Sequence, residues 1–440
     1  AGLEAQKTTS MKALSRILVS SLFAQLGKGS PAPLLSWASS QWKRHNISNA
    51  PSSWTFNDFI DTMEQGSREC NDLGISAIVM DADGREVFRH TTGRFFCTNE
   101  KCSAFADQWN INTVHPIYSG TKIVTAAMFL TAVVEKGKTT LDEPFHTSLP
   151  DIFGPGSHGG RATPRMVMSH TSGFAGLIRT SSTTDCYAGS TTIEECVRQL
   201  AHNPLQHPEG TQFEYSDLAW EVIGLLLERL TSMSIEQNFE TYFKRPLNMT
   251  SSSYACPQAN SSATRSHAAT GLCTTVDDFA KFVRMMSQDG LAPDGIQLIP
   301  SAAVAQIYTS QTGQARLFGD DINYFYIPNT CVSGAGSPAN FTVLDYGFGA
   351  AHYLGFKSEA WMHTGTLGVL HFISPGRYSA VFSTGYAVQP ALDRHLRTLA
   401  SFEDENFAAQ PTCPTSIQIT GAFPVMPPIK APWKTATLHV

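Results

Sequence analysis

Apolar and polar positions form strand-like patterns in two stretches that lie far apart in the chain. Residues 74–80 read Gly-Ile-Ser-Ala-Ile-Val-Met, a turn follows at Asp81-Ala-Asp-Gly84, and residues 85–90 resume a strand pattern. With a helical run over 56–70 in front, this predicts a helix followed by an antiparallel hairpin. Residues 367–374 and 377–384 repeat the arrangement around Pro375-Gly376, and 391–402 is helical again. Between these ends, apolar residues at helical spacing mark 122–135, 218–230, 235–243 and 276–286. The pattern predicts an α+β fold: one antiparallel sheet formed by both ends of the domain, flanked by helices, with an inserted mostly helical lobe. The domain is placed at 56–403, with the α/β part at about 56–118 and 340–403 and the lobe at about 119–339.

Two extensions flank this domain. In residues 1–55, Leu14, Ile17, Leu18, Leu22 and Leu26 recur at helical spacing. Lys12 and Arg16 before a short apolar run also fit a signal peptide, but a docked amphipathic helix is the preferred reading. Residues 404–440 are Pro-rich and read as a tail over the body, and the Gly-rich and Pro-containing stretch 313–340 reads as a surface insertion.

The longest apolar stretch, residues 125–134, is far short of the ~20 residues needed to cross a bilayer. No membrane span is expected. Lys plus Arg number 31 against 37 Asp plus Glu, a net charge of −6, and there is no basic stripe, so nucleic acid is not an expected partner. Nine cysteines without C-x-x-C spacing suggest disulfides before zinc, with Cys97 and Cys102 the tightest pair and Cys186 and Cys196 the next. Sequons at Asn46, Asn248, Asn260 and Asn340 agree with secretion and glycosylation. His202 and His207, separated by Pro204, suit a loop, and no metal or cofactor is called for.

The chemistry starts at Ser119-Gly-Thr-Lys122. At the start of a helix, a hydroxyl and an amine three residues apart share one face, and the helix amino terminus favours developing negative charge. A lysine buried behind Ile123, Val124, Ala126 and Ala127 loses proton affinity and can take the serine proton. The chain holds a second S-x-x-K, Ser40-Gln-Trp-Lys43, in a Ser-rich polar stretch with no apolar helix behind it. That one is the chance match.

The order Ser119-x-x-Lys122, Tyr215-Ser-Asp217, His363-Thr-Gly365 resembles the serine β-lactamase and penicillin-binding-protein superfamily, in its branch of class C enzymes, esterases and transacylases. Residues 135–144, Met168-Ser-His-Thr-Ser-Gly173, Pro246-Leu-Asn-Met249, residues 271–278 and Asp345-Tyr-Gly-Phe-Gly349 resemble that family at comparable spacing. The resemblance runs from about residue 56 to 399. It implies a β-lactamase/transpeptidase-like fold, Ser119 as acylated nucleophile, Lys122 as its proton acceptor or electrostatic partner, and Tyr215 as the group that hands a proton to the leaving group. The amides of Ser119 and Thr366 are the implied oxyanion hole, with Asp217, His363, Thr364 and Gly365 lining the substrate.

Two positions depart from the family pattern. Asp217 stands where Asn is usual and cannot donate to a substrate amide, so it either holds Lys122 or faces another cation. His363 stands where Lys is usual and attracts a carboxylate less strongly. His170-Thr-Ser-Gly173 is read as a structural turn. A serine hydrolase acting on an ester or other activated acyl group, with a small-molecule substrate and an oligomeric state left open, is the expected function. Transfer of the acyl group to an alcohol or amine, β-lactamase or D-alanyl peptidase activity, and a non-catalytic scaffold are the alternatives.

Overall fold

The computed structural model describes residues 60–61, 63–64, 74–93, 109–176, 192–256, 266–315, 342–354, 360–365, 369–374, 376 and 378–384. Both terminal extensions, the expected helix over 391–402, the insertion beyond 315 and Cys97, Cys102 and Cys186 lie outside the described residues.

Both expected hairpins are present. Strand β1 (Ile75–Asp81) is buried over its first six residues, all apolar but Ser76, and it pairs antiparallel with β2 (Glu86–Thr92) on one side. The turn closes with Gly84 N–H donating to Asp81 O at 2.9 Å, and the Asp81 carboxylate accepts from the backbone of Asp83 and Arg85. The outer strand is largely exposed, as an edge strand with charged residues should be. On its other side β1 pairs antiparallel with β9 (Tyr378–Thr384), Ile75 opposite Thr384 and Asp81 opposite Tyr378. The two ends of the domain therefore close one sheet.

Strands β5 (Thr342–Tyr346), β6 (Ala351–Leu354), β7 (Ala360–Thr364) and β8 (Val369–Ser374) complete a seven-stranded sheet in the order β2-β1-β9-β8-β7-β6-β5. A short pair, β3 (His115–Pro116) with β4 (Cys273–Thr274), stands apart from it.

Among the described residues, helices dominate the span between β2 and β5. They are α1 (Thr121–Phe129), α2 (Phe145–Ser148), α3 (Pro164–Met168), α4 (Ile193–His202), α5 (Trp220–Thr231), α6 (Ile235–Phe239), α7 (Val276–Ser287) and α8 (Ser301–Ile307). The runs expected over 122–135 and 235–243 both finish in a π turn, Leu130–Val134 and Glu240–Lys244. Every residue of α1 is buried, so this helix is the axis of the core. The amphipathic α7 packs on β9, β1 and β8. Its entry is fixed by the Thr275 hydroxyl accepting from Asp278 N–H at 3.0 Å, with Asp277 and Asp278 in the first turn and Arg284 in the last. Helix α4 lies outside the helical runs expected from periodicity, although Thr192-Ile-Glu-Glu195 forms a full capping box at its start.

Candidate active site

The segment that carries the nucleophile is held from both ends. Ile117 N–H donates to Leu272 O at 3.0 Å beside the β3–β4 pair, and Leu272 N–H donates to the Thr121 hydroxyl at 3.2 Å. Cys273 of that same segment is bonded to Cys256, with Cα atoms 5.4 Å apart, and its backbone pairs with Ser253. Tyr118 takes a left-handed φ of 43°, uncommon for an aromatic residue, as the chain turns into α1. Ser119 follows in a single 3-10 turn, 8% exposed, directly before α1. The positive end of the helix thus lies beside its hydroxyl.

Two side chains meet Ser119, and a third holds one of them. Lys122, fully buried at the second position of α1, donates from Nζ to Ser119 Oγ at 3.1 Å. The phenol of Tyr215 donates to the same oxygen at 2.9 Å. Lys122 Nζ also sits 4.8 Å from the centre of the Tyr215 ring and forms a buried ion pair with Asp217 Oδ1. Burial pushes the Lys122 ammonium below its ordinary pKa, and the Asp217 and Glu221 carboxylates oppose that push. A nucleophile, a lysine drawn toward its neutral form and a tyrosine in contact with both make an arrangement suited to acyl transfer.

The sequence profile of the Beta-lactamase family matches residues 59–388, most of the chain. The chain belongs to the Beta-lactamase family. Among curated relatives, "Protein flp" of Staphylococcus aureus (strain COL) is 23% identical over 143 residues, which is 32% of this chain and 28% of that one. The chain thus spans under a third of that relative's length. Simvastatin Synthase (LovD) from Aspergillus terreus shares the fold at a TM-score of 0.60 and 16% identity, over 80% of this chain and 100% of that chain. "EstCE1, a hydrolase with promiscuous acyltransferase activity" does so at 0.59 and 18%, over 79% and 99%.

Within this family fold the remaining expected residues fall on or beside β7. His363 is buried, its ring centre 6.3 Å from that of Tyr215 and 6.1 Å from that of Tyr346. Thr364 ends the strand and Gly365 follows, buried. Thr366 lies outside the described residues, as does Ser40 of the second S-x-x-K. Of the two readings of Asp217, the structure has the one in which it holds Lys122. The Asp345-Tyr-Gly-Phe-Gly349 segment reaches the site through its last residue. Gly349 has φ +72°, and a Cβ there would come within 2.7 Å of Ile123 N and 2.8 Å of Lys122 C, so only glycine lets this loop lie against α1.

Glu221 and a second role for His170 emerge only in three dimensions. Glu221, fully buried on α5, accepts from Ala268 N–H at 3.2 Å and lies 3.5 Å from His267 Nδ1. His170 lies in the expected turn, and its ring also lies against that of Tyr215, centres 4.2 Å apart and planes 34° apart. Neither contact has a local sequence signal, because each joins residues more than forty positions apart.

Proposed function

We propose that the protein is a serine acyl hydrolase that forms an acyl-enzyme at Ser119, with small or activated esters as its substrates. One observation carries the reading: Ser119 Oγ lies within hydrogen-bond reach of both Lys122 Nζ and the Tyr215 phenol, before a buried helix. Ser119 Oγ attacks the acyl carbon and its proton passes to Lys122 in the neutral form that burial favours, directly or through Tyr215. As the carbon–oxygen bond to the leaving group breaks, Tyr215 delivers that proton to the departing alkoxide. Water then attacks the acyl-enzyme, gives up a proton by the same route, and Ser119 recovers its hydrogen. The amides of Ser119 and Thr366 steady the oxyanion in this scheme.

The two departures from the family pattern support esters over β-lactams or D-alanyl peptides. Asp217 is engaged by Lys122 and offers no amide donor, and His363 replaces a fixed cation. Short-chain p-nitrophenyl esters are expected to show much larger kcat/KM than nitrocefin or D-alanyl-D-alanine peptides. Efficient nitrocefin hydrolysis without ester cleavage would overturn the reading. Acyl transfer to an alcohol is the second reading, favoured by the likeness to EstCE1 and to Simvastatin Synthase. It predicts that an added alcohol diverts the acyl group from hydrolysis to a new ester, seen by mass. A secretory origin is proposed as well, supported by the Cys256–Cys273 bond and by the exposed sequon residue Asn248. Mass mapping of unreduced peptides tests it, since free thiols at Cys97 and Cys102 and an unmodified Asn248 in freshly isolated protein would contradict it.

A further inference from the structure

His170 holds the segment around Tyr215 at three points. Its backbone carbonyl accepts from Glu214 N–H at 2.7 Å, and its ring Nδ1 accepts from Ser216 N–H at 3.1 Å. These are the residues on either side of Tyr215. Between the two anchors the imidazole lies against the phenol ring, centres 4.2 Å apart and planes 34° apart. Phe213, Trp220 and Tyr346 pack around the imidazole at 5.6, 6.0 and 5.1 Å, leaving it 1% exposed.

The backbone is bent to make this possible. His170 takes a left-handed φ of 58°, and three residues later Gly173 takes φ +80°, where a Cβ would come 2.1 Å from His207 O. A non-glycine residue in that conformation is uncommon and is kept only where its surroundings enforce it. The segment therefore spends backbone freedom to place one imidazole. With Nδ1 accepting, the ring carries its proton on Nε2, and burial beside Lys122 keeps it neutral, with its pKa well below the ordinary histidine value.

We propose that His170 is the positioning residue for Tyr215, fixing the direction of the phenol so that its oxygen meets Ser119. The inference rests on the reading of Tyr215 as the proton carrier. His170 acts only through that ring, so its worth should vanish once the phenol oxygen is gone.

A double-mutant cycle tests this on a p-nitrophenyl ester. His170→Phe keeps an aromatic ring and removes the acceptor. It should lower kcat by about tenfold or more with KM within about twofold, and on a Tyr215→Phe background it should cost less than about twofold. His170→Asn sets an amide oxygen where Nδ1 lies and tolerates the left-handed backbone, and it should recover part of the loss. It also serves as the working variant in the same cycle if His170→Phe does not fold by circular dichroism. An equal fold-loss on both backgrounds, a loss confined to KM, or no loss in the wild-type background would overturn the assignment of His170. A wild-type rate for Tyr215→Phe alone would instead overturn the role of the phenol, and the positioning role with it.

Discussion

Two places where a serine hydroxyl meets a nitrogen base invite comparison, and only one is built for chemistry. At the first, Ser119 Oγ is met by Lys122 Nζ at 3.1 Å and by the Tyr215 phenol at 2.9 Å. At the second, Ser383 Oγ on β9 lies only 2.7 Å from His115 Nε2, and His115 Nδ1 is 3.0 Å from Thr113 O. Taken as hydrogen bonds, the second is the shorter and resembles a serine–histidine pair. It lies inside the body, however, with Ser383 wholly buried in register with Ser76, and Trp109 packed on the imidazole at 5.1 Å while its Nε1 donates to Ser76 Oγ at 2.7 Å. Ser383 is 0% exposed against 8% for Ser119. Contact between serine and base is thus insufficient. Partial exposure and a second proton carrier, the Tyr215 phenol, distinguish Ser119.

Breaking the contrast directly gives the largest expected effect. Ser119→Ala should lower ester turnover by about a thousandfold or more. Ser383→Ala should leave the rate within about twofold but cost about 1 to 3 kcal/mol of stability, because His115 loses its partner in a dry site. Turnover assays and urea unfolding on both variants measure this, and a large rate loss for Ser383→Ala would erase the distinction. Next comes Lys122→Ala, expected to lower kcat by about a hundredfold. It should also destabilise the protein by about 3 to 5 kcal/mol, since Asp217 then lies without its cation. A near-normal rate would remove Lys122 from the mechanism.

A smaller effect sharpens what the first site accepts. A charge-assisted hydrogen bond contributes about 1.5 to 3 kcal/mol, so His363→Lys should narrow the ester-to-nitrocefin ratio of kcat/KM by about tenfold. An unchanged ratio would show that β7 does not select the substrate class.

Buried histidines outside the site supply the last comparison. His371, opposite His363 on β8, is fully buried with neither ring nitrogen hydrogen-bonded among the described residues, and burial pushes its pKa down to about 3. Burial likewise holds His115 down to about 4. A depressed histidine pKa means that the unfolded chain takes up a proton below about pH 6.5 while the folded one does not. Stability is therefore complete above that pH and is lost as pH falls toward about 3. His371→Leu should gain about 2 kcal/mol more at pH 5 than at pH 8, measured by urea unfolding at both. The same gain at both pH values would contradict the neutral, desolvated state of this ring.

What was legible in the sequence was local or periodic. Ser119 and Lys122 lie three residues apart on one helix, so spacing alone brings them together. The two hairpins follow from apolar runs around turns, and their union into one sheet follows from helices filling the interval. The partners that set the site's character come from afar: Asp217 is 95 positions from Lys122, and His170 is 46 from Ser216. The departures at Asp217 and His363 could be noticed only against a family pattern, and the ion pair that Asp217 makes only in three dimensions. Strands β5 to β7 escaped a pattern-based reading because they are short, four or five residues each, and carry mixed polarity. The pairing of Cys256 with Cys273 likewise had no spacing signature.

The central claim is that one serine among many is the nucleophile. Reaction of the intact protein with a fluorescent phosphonate, followed by digestion and mass mapping, tests it most directly. The account predicts a single covalent adduct on the peptide containing Ser119, lost in Ser119→Ala and retained in Ser383→Ala. An adduct on the peptide containing Ser40 or Ser383, with Ser119 unmodified, would contradict it.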